Sequence, residues 1–119
     1  MTKRILIVED EPNIIESLSF LLDRAGYLVE SEQDGAEAMA RIDTFQPDLV
    51  ILDVMLPNRS GFDILRDIDG LDTGPKVLML TAKGQARDRQ TAEEIGVTRF
   101  MTKPFSNSEI VLAVQEMLS

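Results

Sequence analysis

Three short apolar runs dictate most of what this chain can fold into. They are Ile5–Val8 (ILIV), Leu49–Leu52 (LVIL) and Val77–Leu80 (VLML). Each is continuous rather than alternating, and each is rich in Val, Ile and Leu. A strand with one wet face alternates polar and apolar residues; a strand covered on both faces does not. The runs therefore read as central strands of a parallel sheet with helices on either side. Tyr27–Val29 and Phe100–Met101 are weaker strand candidates, expected near or at the sheet edges.

Helical spacing fills the gaps. Ile14, Leu18 and Leu21 share a face, with Ile15 and Leu22 beside them and Gly26 as the stop. Asp34 is a cap for a second helix carrying Ala38, Ile42 and Phe45, ended by Pro47. Ser60-Gly61 opens a third, with Ile64, Leu65 and Ile68. A fourth, at Arg87–Ile95, offers only Ala92 and Ile95 to a core and is expected to be the least firmly held. Ser106-Asn107-Ser108-Glu109 is a capping box ahead of Ile110, Val114 and Met117. Five βα units with right-handed crossovers predict an α/β fold, a doubly wound five-stranded parallel sheet. The last helical pattern reaches the end of the chain, which is compatible with a longer parent protein.

With 119 residues the chain is the size of one domain and should bury roughly two-thirds of its unfolded surface. No apolar run approaches the ~18 residues of a membrane helix, so no membrane role is expected. Arg4 is followed by four apolar residues and then acids, which is not a signal-peptide pattern. The chain has no Cys, which excludes disulfides and thiolate chemistry and fits a cytoplasmic setting. It has no His, which excludes a Ser-His-Asp triad and imidazole metal ligands. Any metal must be hard and held by oxygen. A formal net charge of −9 is repelled by phosphate backbones, so direct nucleic-acid binding by this domain is not expected.

In an open α/β sheet, ligands bind beyond the carboxyl ends of the strands. Here the first strand is followed by Glu9, Asp10 and Glu11, the third by Asp53, the fourth by Thr81 and Ala82, and the fifth by Lys103. Two carboxylates ~5 Å apart repel by roughly 3 kcal/mol at an effective dielectric of ~20. A divalent cation and the Lys103 ammonium would compensate, and Mg²⁺ suits carboxylates, a carbonyl, waters and a phosphoryl oxygen. Such a set can transfer a phosphoryl group, with Asp53 as nucleophile. Each residue also has a plainer role. Glu9 and Asp10 can serve as acids at a helix N-terminus, the main role assigned to Glu11. Asp53 can be a turn acid, Thr81 a cap, Lys103 a surface lysine and Phe100 a core aromatic. The conjunction at four strand ends favours the site. A flavin module would want a Ser/Thr/Gly-rich loop where Glu9-Asp10-Glu11 stands. A phosphatase with an aspartate nucleophile usually carries a second acid two residues on, where Met55 stands.

The motifs ILIVEDEP, LVILDVMLPNRSGFDIL, VLMLTAK and FMTKPF, in this order, resemble the receiver domain of bacterial two-component response regulators across residues 1–119. The resemblance implies the strand order 2-1-3-4-5. It implies that Asp53 accepts a phosphoryl group from a histidine kinase or phosphotransfer protein. Glu9, Asp10, Asp53 and the backbone carbonyl of Met55 would hold Mg²⁺. Lys103 would pair with the phosphoryl oxygens, and Pro104 after it would follow a cis peptide. Thr81 and Phe100 would form a switch that alters the surface of the fourth helix, fifth strand and fifth helix for an output domain or partner protein. The family usually has Tyr at the position of Phe100. Such a domain is a regulator rather than an enzyme in its own right, though it promotes its own phosphoryl transfer and a slow hydrolysis of the aspartyl phosphate. Receivers joined to winged-helix domains typically pair through that face, with an acid before the switch aromatic and an arginine four residues after the glutamate of the last helix. This chain has Arg99 and Ala113 there, beside a retained Glu109. The expectation is a domain that stays mainly monomeric, with pairing on phosphorylation left open.

Overall fold

The computed structural model describes residues 2–81 and 86–119. The strands are β1 (Arg4–Val8), β2 (Leu28–Glu32), β3 (Leu49–Asp53), β4 (Lys76–Thr81) and β5 (Arg99–Thr102). The helices are α1 (Pro12–Arg24), α2 (Ala38–Phe45), α3 (Gly61–Asp69), α4 (Ala86–Ile95) and α5 (Asn107–Leu118). The sheet order is β2-β1-β3-β4-β5 and every neighbouring pair is parallel. The three continuous apolar runs are its three central strands.

Strand residues alternate faces, and so does the core. Leu6, Val8, Val50, Leu52 and Met79 pack with residues of α2, α3 and α4 on one side. Ile5, Ile7, Ile51, Leu78 and Leu80 pack with α1 and α5 on the other. Both faces of the central strands are thus covered, which is why polar residues are absent from them until the strand ends.

The edges differ from the sequence reading. β2 begins at Leu28, one residue after Tyr27, and continues through the polar Glu30-Ser31-Glu32. One side of an edge strand faces water, so polar residues there cost nothing. Arg41 from α2 pairs with Glu30 and Glu32. Asp34 does not cap α2 directly: it caps a single 3-10 turn, Gly35–Glu37, that leads into the helix. α1 ends at Arg24, two residues ahead of Gly26, whose φ of 99° carries the chain round to β2. α3 is capped by Ser60, and α5 by the full capping box of Ser106 and Glu109. Among the described residues no helix is long and apolar enough to cross a membrane.

Candidate functional site

The carboxyl ends of β1, β3, β4 and β5 deliver polar residues to one rim because the apolar run of each strand ends there. Glu9 follows β1 and is buried, with 2% of its surface exposed. Its Oε2 accepts hydrogen bonds from the backbone N–H groups of Asp10 (3.0 Å) and Glu11 (3.2 Å). Asp53 ends β3 and is 5% exposed. Asp10 is exposed, and the carboxylate oxygens of Glu9, Asp10 and Asp53 come within 4.8 Å of one another.

Lys103, just past β5, reaches back into this cluster. Its Nζ donates to Glu9 Oε1 at 2.7 Å and to Asp53 Oδ2 at 3.4 Å, and it lies 3.9 Å from Glu11 Oε1. Its backbone N–H donates to the Thr81 carbonyl at 2.7 Å, which fixes the start of the loop, and the Lys103–Pro104 peptide is cis. Glu11 is the N-cap residue of α1 but makes no side-chain cap bond; its carboxylate faces Lys103 instead.

The electrostatics follow from this crowding. Burial, then the negative charge of Glu9, pushes the Asp53 carboxyl up to about 6, against the pull of Lys103. Burial also acts to raise Glu9, but its bonds to Lys103 and Asp53 win and hold it below the usual carboxylate range. Burial acts to lower Lys103, yet Glu9, Asp53 and Glu11 together raise it. One ammonium therefore faces more negative charge than it can neutralise. Three hard oxygen donors with charge to spare fit Mg²⁺ or a similar divalent cation.

Thr81 ends β4, 4% exposed and paired in register with Thr102 of β5. Ala82, which follows it, and Lys83 of the same motif lie outside the described residues. Phe100 sits in β5 and is already buried, 7% exposed, with the Arg89 guanidinium 5.1 Å over its ring. Met55 lies on the loop after β3 and is 76% exposed.

Sequence reasoning missed three supports of this site. Gly61 is more than a helix opener: a Cβ there would collide with the carbonyl oxygen of Asp53. Its N–H donates to the Val54 carbonyl at 2.9 Å and closes the base of the loop that carries Met55. Asn58 adopts φ 68° and donates to Asp34 across that loop. Arg89 covers Phe100 from α4. The polar turn Pro57-Asn58-Arg59-Ser60-Gly61 was the visible signal for the first two, but its partner on another loop is not written locally.

Comparison with known proteins agrees with this arrangement. Residues 5–115 match the family model described as the response regulator receiver domain. The chain is 40% identical over 118 residues to the alkaline phosphatase synthesis transcriptional regulatory protein PhoP of Bacillus subtilis (strain 168), covering 99% of this chain and 49% of that protein. It is 39% identical to the regulatory protein VanRc of Enterococcus gallinarum, covering 99% of this chain and 51% of that one. The chain thus spans about half the length of the curated relatives it matches. Among solved structures it is similar to the BeF3-activated N-terminal receiver domain of RstA from Klebsiella pneumoniae, with TM-score 0.92, 27% identity and 98% of each chain covered. It is also similar to a CheY-like receiver domain protein from Methanospirillum hungatei JF-1, with TM-score 0.93, 28% identity, and 99% of this chain and 94% of that one covered. The sheet order, the acids at its rim and these matches together show that the chain belongs to the response regulator receiver domain family.

Proposed function

We propose that residues 1–119 form one receiver domain, a cytoplasmic switch that takes a phosphoryl group onto Asp53 from a histidine kinase or a phosphotransfer protein. The observation that carries this reading is the placement of a buried, strand-end carboxylate between a lysine and two further acids: Lys103 Nζ stands 3.4 Å from Asp53 Oδ2, with Glu9 and Asp10 beside it.

In the proposed step an Asp53 oxygen attacks the phosphorus of a phosphohistidine. The P–O bond forms as the P–N bond breaks, and the electron pair leaves with the imidazole nitrogen. A carboxylate that titrates near 6 is mostly ionised at neutral pH and keeps its nucleophilic form. Glu9, Asp10, Asp53 and the Met55 carbonyl would hold a Mg²⁺, which supplies charge neutralisation as the phosphoryl oxygens arrive. Lys103 supplies the second positive charge by turning from Glu9 towards the new oxygens.

The aspartyl phosphate carries about two negative charges where the ionised carboxylate carried one, and strong acceptor oxygens. In this reading the Thr81 hydroxyl and Lys103 answer them. Movement of Thr81, with the Phe100 ring following, would alter the surface formed by α4, β5 and α5 and so signal to an output domain or partner protein. Slow hydrolysis of the aspartyl phosphate resets the switch. The net charge of −9 supports an output that acts elsewhere rather than nucleic-acid contact by this domain.

The test is incubation with acetyl phosphate and Mg²⁺, read by intact mass. The wild-type chain gains one phosphoryl group and Asp53→Asn gains none. Equal gain by both would overturn the assignment.

A further inference from the structure

The loop after β3 is pinned at both ends. At its base the Gly61 N–H bonds the Val54 carbonyl, and the Val54 N–H bonds the Leu80 carbonyl of β4 at 3.3 Å. At its tip, Asn58 Nδ2 donates to Asp34 Oδ1 at 2.9 Å, and the Gly35 N–H donates to the Pro57 carbonyl at 3.1 Å. The Arg59 N–H returns to the same Pro57 carbonyl at 2.8 Å, around an Asn58 with φ 68°. A three-residue turn with positive φ at a residue with a side chain is rare and persists only when its surroundings hold it. Gly35 is part of the fit, because a Cβ there would collide with the Arg59 carbonyl oxygen.

The partner side is equally anchored. Asp34 Oδ1 also accepts from the Ala36 N–H at 2.9 Å, so the carboxylate is oriented by its own turn. The Asp34 N–H donates to Glu32 Oε2 at 3.1 Å, and Glu32 is held by Arg41 of α2. The Glu32 carbonyl accepts from the Glu9 N–H at 3.1 Å. The end of β2 thus ties the backbone of the first acid to the loop that follows Asp53. Met55 lies between the two pins.

We infer that Asp34 and Asn58 are positioning residues: their hydrogen bond clamps the loop after β3 and sets where the Met55 carbonyl stands relative to the carboxylates of Glu9, Asp10 and Asp53, and so sets the affinity of the site for a divalent cation. The inference rests on the reading of Asp53 and its neighbours as a Mg²⁺-dependent phosphoryl acceptor. Neither residue touches the reacting atoms. They act through the backbone, as outer partners of metal ligands do.

The experiment is Mg²⁺ titration by calorimetry on the full chain. Asn58→Gly removes the amide donor while glycine accepts the positive φ, so the turn loses its clamp without new strain. Asp34→Ala removes the acceptor, whereas Asp34→Asn removes the charge and keeps an oxygen acceptor. Asn58→Gly and Asp34→Ala are expected to weaken Mg²⁺ binding about tenfold, and Asp34→Asn to bind like wild type. A residue with a purely structural role would lower the unfolding temperature in EDTA and leave the affinity of the folded chain unchanged. Wild-type affinity in Asn58→Gly overturns the clamp and leaves the phosphoacceptor reading standing. Equal weakening by Asp34→Asn and Asp34→Ala shows a charge effect and overturns it too. Should Asn58→Gly fail to fold, the two Asp34 variants decide. A wild-type chain that binds no Mg²⁺ overturns both the clamp and the reading beneath it.

Discussion

Asp53 is held at a cost to the fold, and the sign of that cost can be worked out. Its carboxyl titrates near 6 in the folded chain against 3.8 ordinarily, so the folded state binds this proton more tightly than the unfolded one. The contribution is fully present below the unfolded pKa and is lost as pH rises through about 4 to 6. Above that window the ionised group costs the metal-free fold up to about 3 kcal/mol. Asp53→Asn should therefore be more stable than wild type in EDTA at neutral pH, with the gap closing towards pH 4. Urea midpoints at the two pH values would check this, and a gap that widened on acidification would refute it. Lys103→Ala should go the other way, because it leaves Glu9 and Asp53 facing each other with no ammonium between them. A fall of about 2 kcal/mol in EDTA is expected, since a buried charge that loses its partner is costly. The same variant should still gain a phosphoryl group from acetyl phosphate but fail to pass the change to α4 and β5, read as an unaltered amide-exchange pattern there.

The elements differ in how firmly the core grips them. α1 buries Leu18 and Leu22, and α5 buries four residues including Ile110 and Val114. α4 buries only Ala92, with Ile95 partly packed, and lays the Arg89 guanidinium over Phe100 of β5. That contact is worth about 1 kcal/mol at most at an exposed site. Amide exchange within residues 86–95 should thus be the fastest of the helices, and Arg89→Ala should speed it further; protection equal to that of α1 would contradict the argument. Ser106→Ala should cost about 1 kcal/mol through loss of the capping box, seen as a lower urea midpoint. What the sequence makes legible follows the same division. β1, β3 and β4 were readable because both faces are buried and the apolar runs are continuous. β2 was readable only in part, since Glu30-Ser31-Glu32 belongs to a strand whose wet side and Arg41 partner are tertiary facts. Glu9, Asp53 and Thr81 stood out because each directly follows an apolar run, and Lys103 because it follows Phe100–Met101 one residue further on. The Asp34–Asn58 and Arg89–Phe100 contacts did not, because each joins residues on separate elements whose local patterns are ordinary turn and helix.

At the scale of the whole molecule, charge decides whether two copies meet. The face of α4, β5 and α5 carries Arg89 and Arg99, and Arg99 already pairs within its own chain, with Glu116 at 3.6 Å. Ala113, where the receivers that pair through this face usually have an arginine, is 4% exposed and offers no charge to a partner. Leu112 is exposed on the same helix, 56%, but a single exposed leucine is an ordinary surface feature rather than an anchor. Each copy also brings a net charge of −9, and a phosphoryl group on an ionised Asp53 would add about one more negative charge. Self-repulsion of that size needs an ordered set of cross-pairs to overcome it, and the intrachain Arg99–Glu116 pair removes one cation from such a set. The domain should therefore scatter light with the mass of one chain both before and after saturation with beryllofluoride and Mg²⁺, at moderate salt and micromolar protein. A beryllofluoride-induced doubling of mass that Arg99→Ala abolishes would show that the face pairs after all, with Arg99 leaving Glu116 to bridge the copies. A doubling that Arg99→Ala leaves untouched would place the contact on another surface.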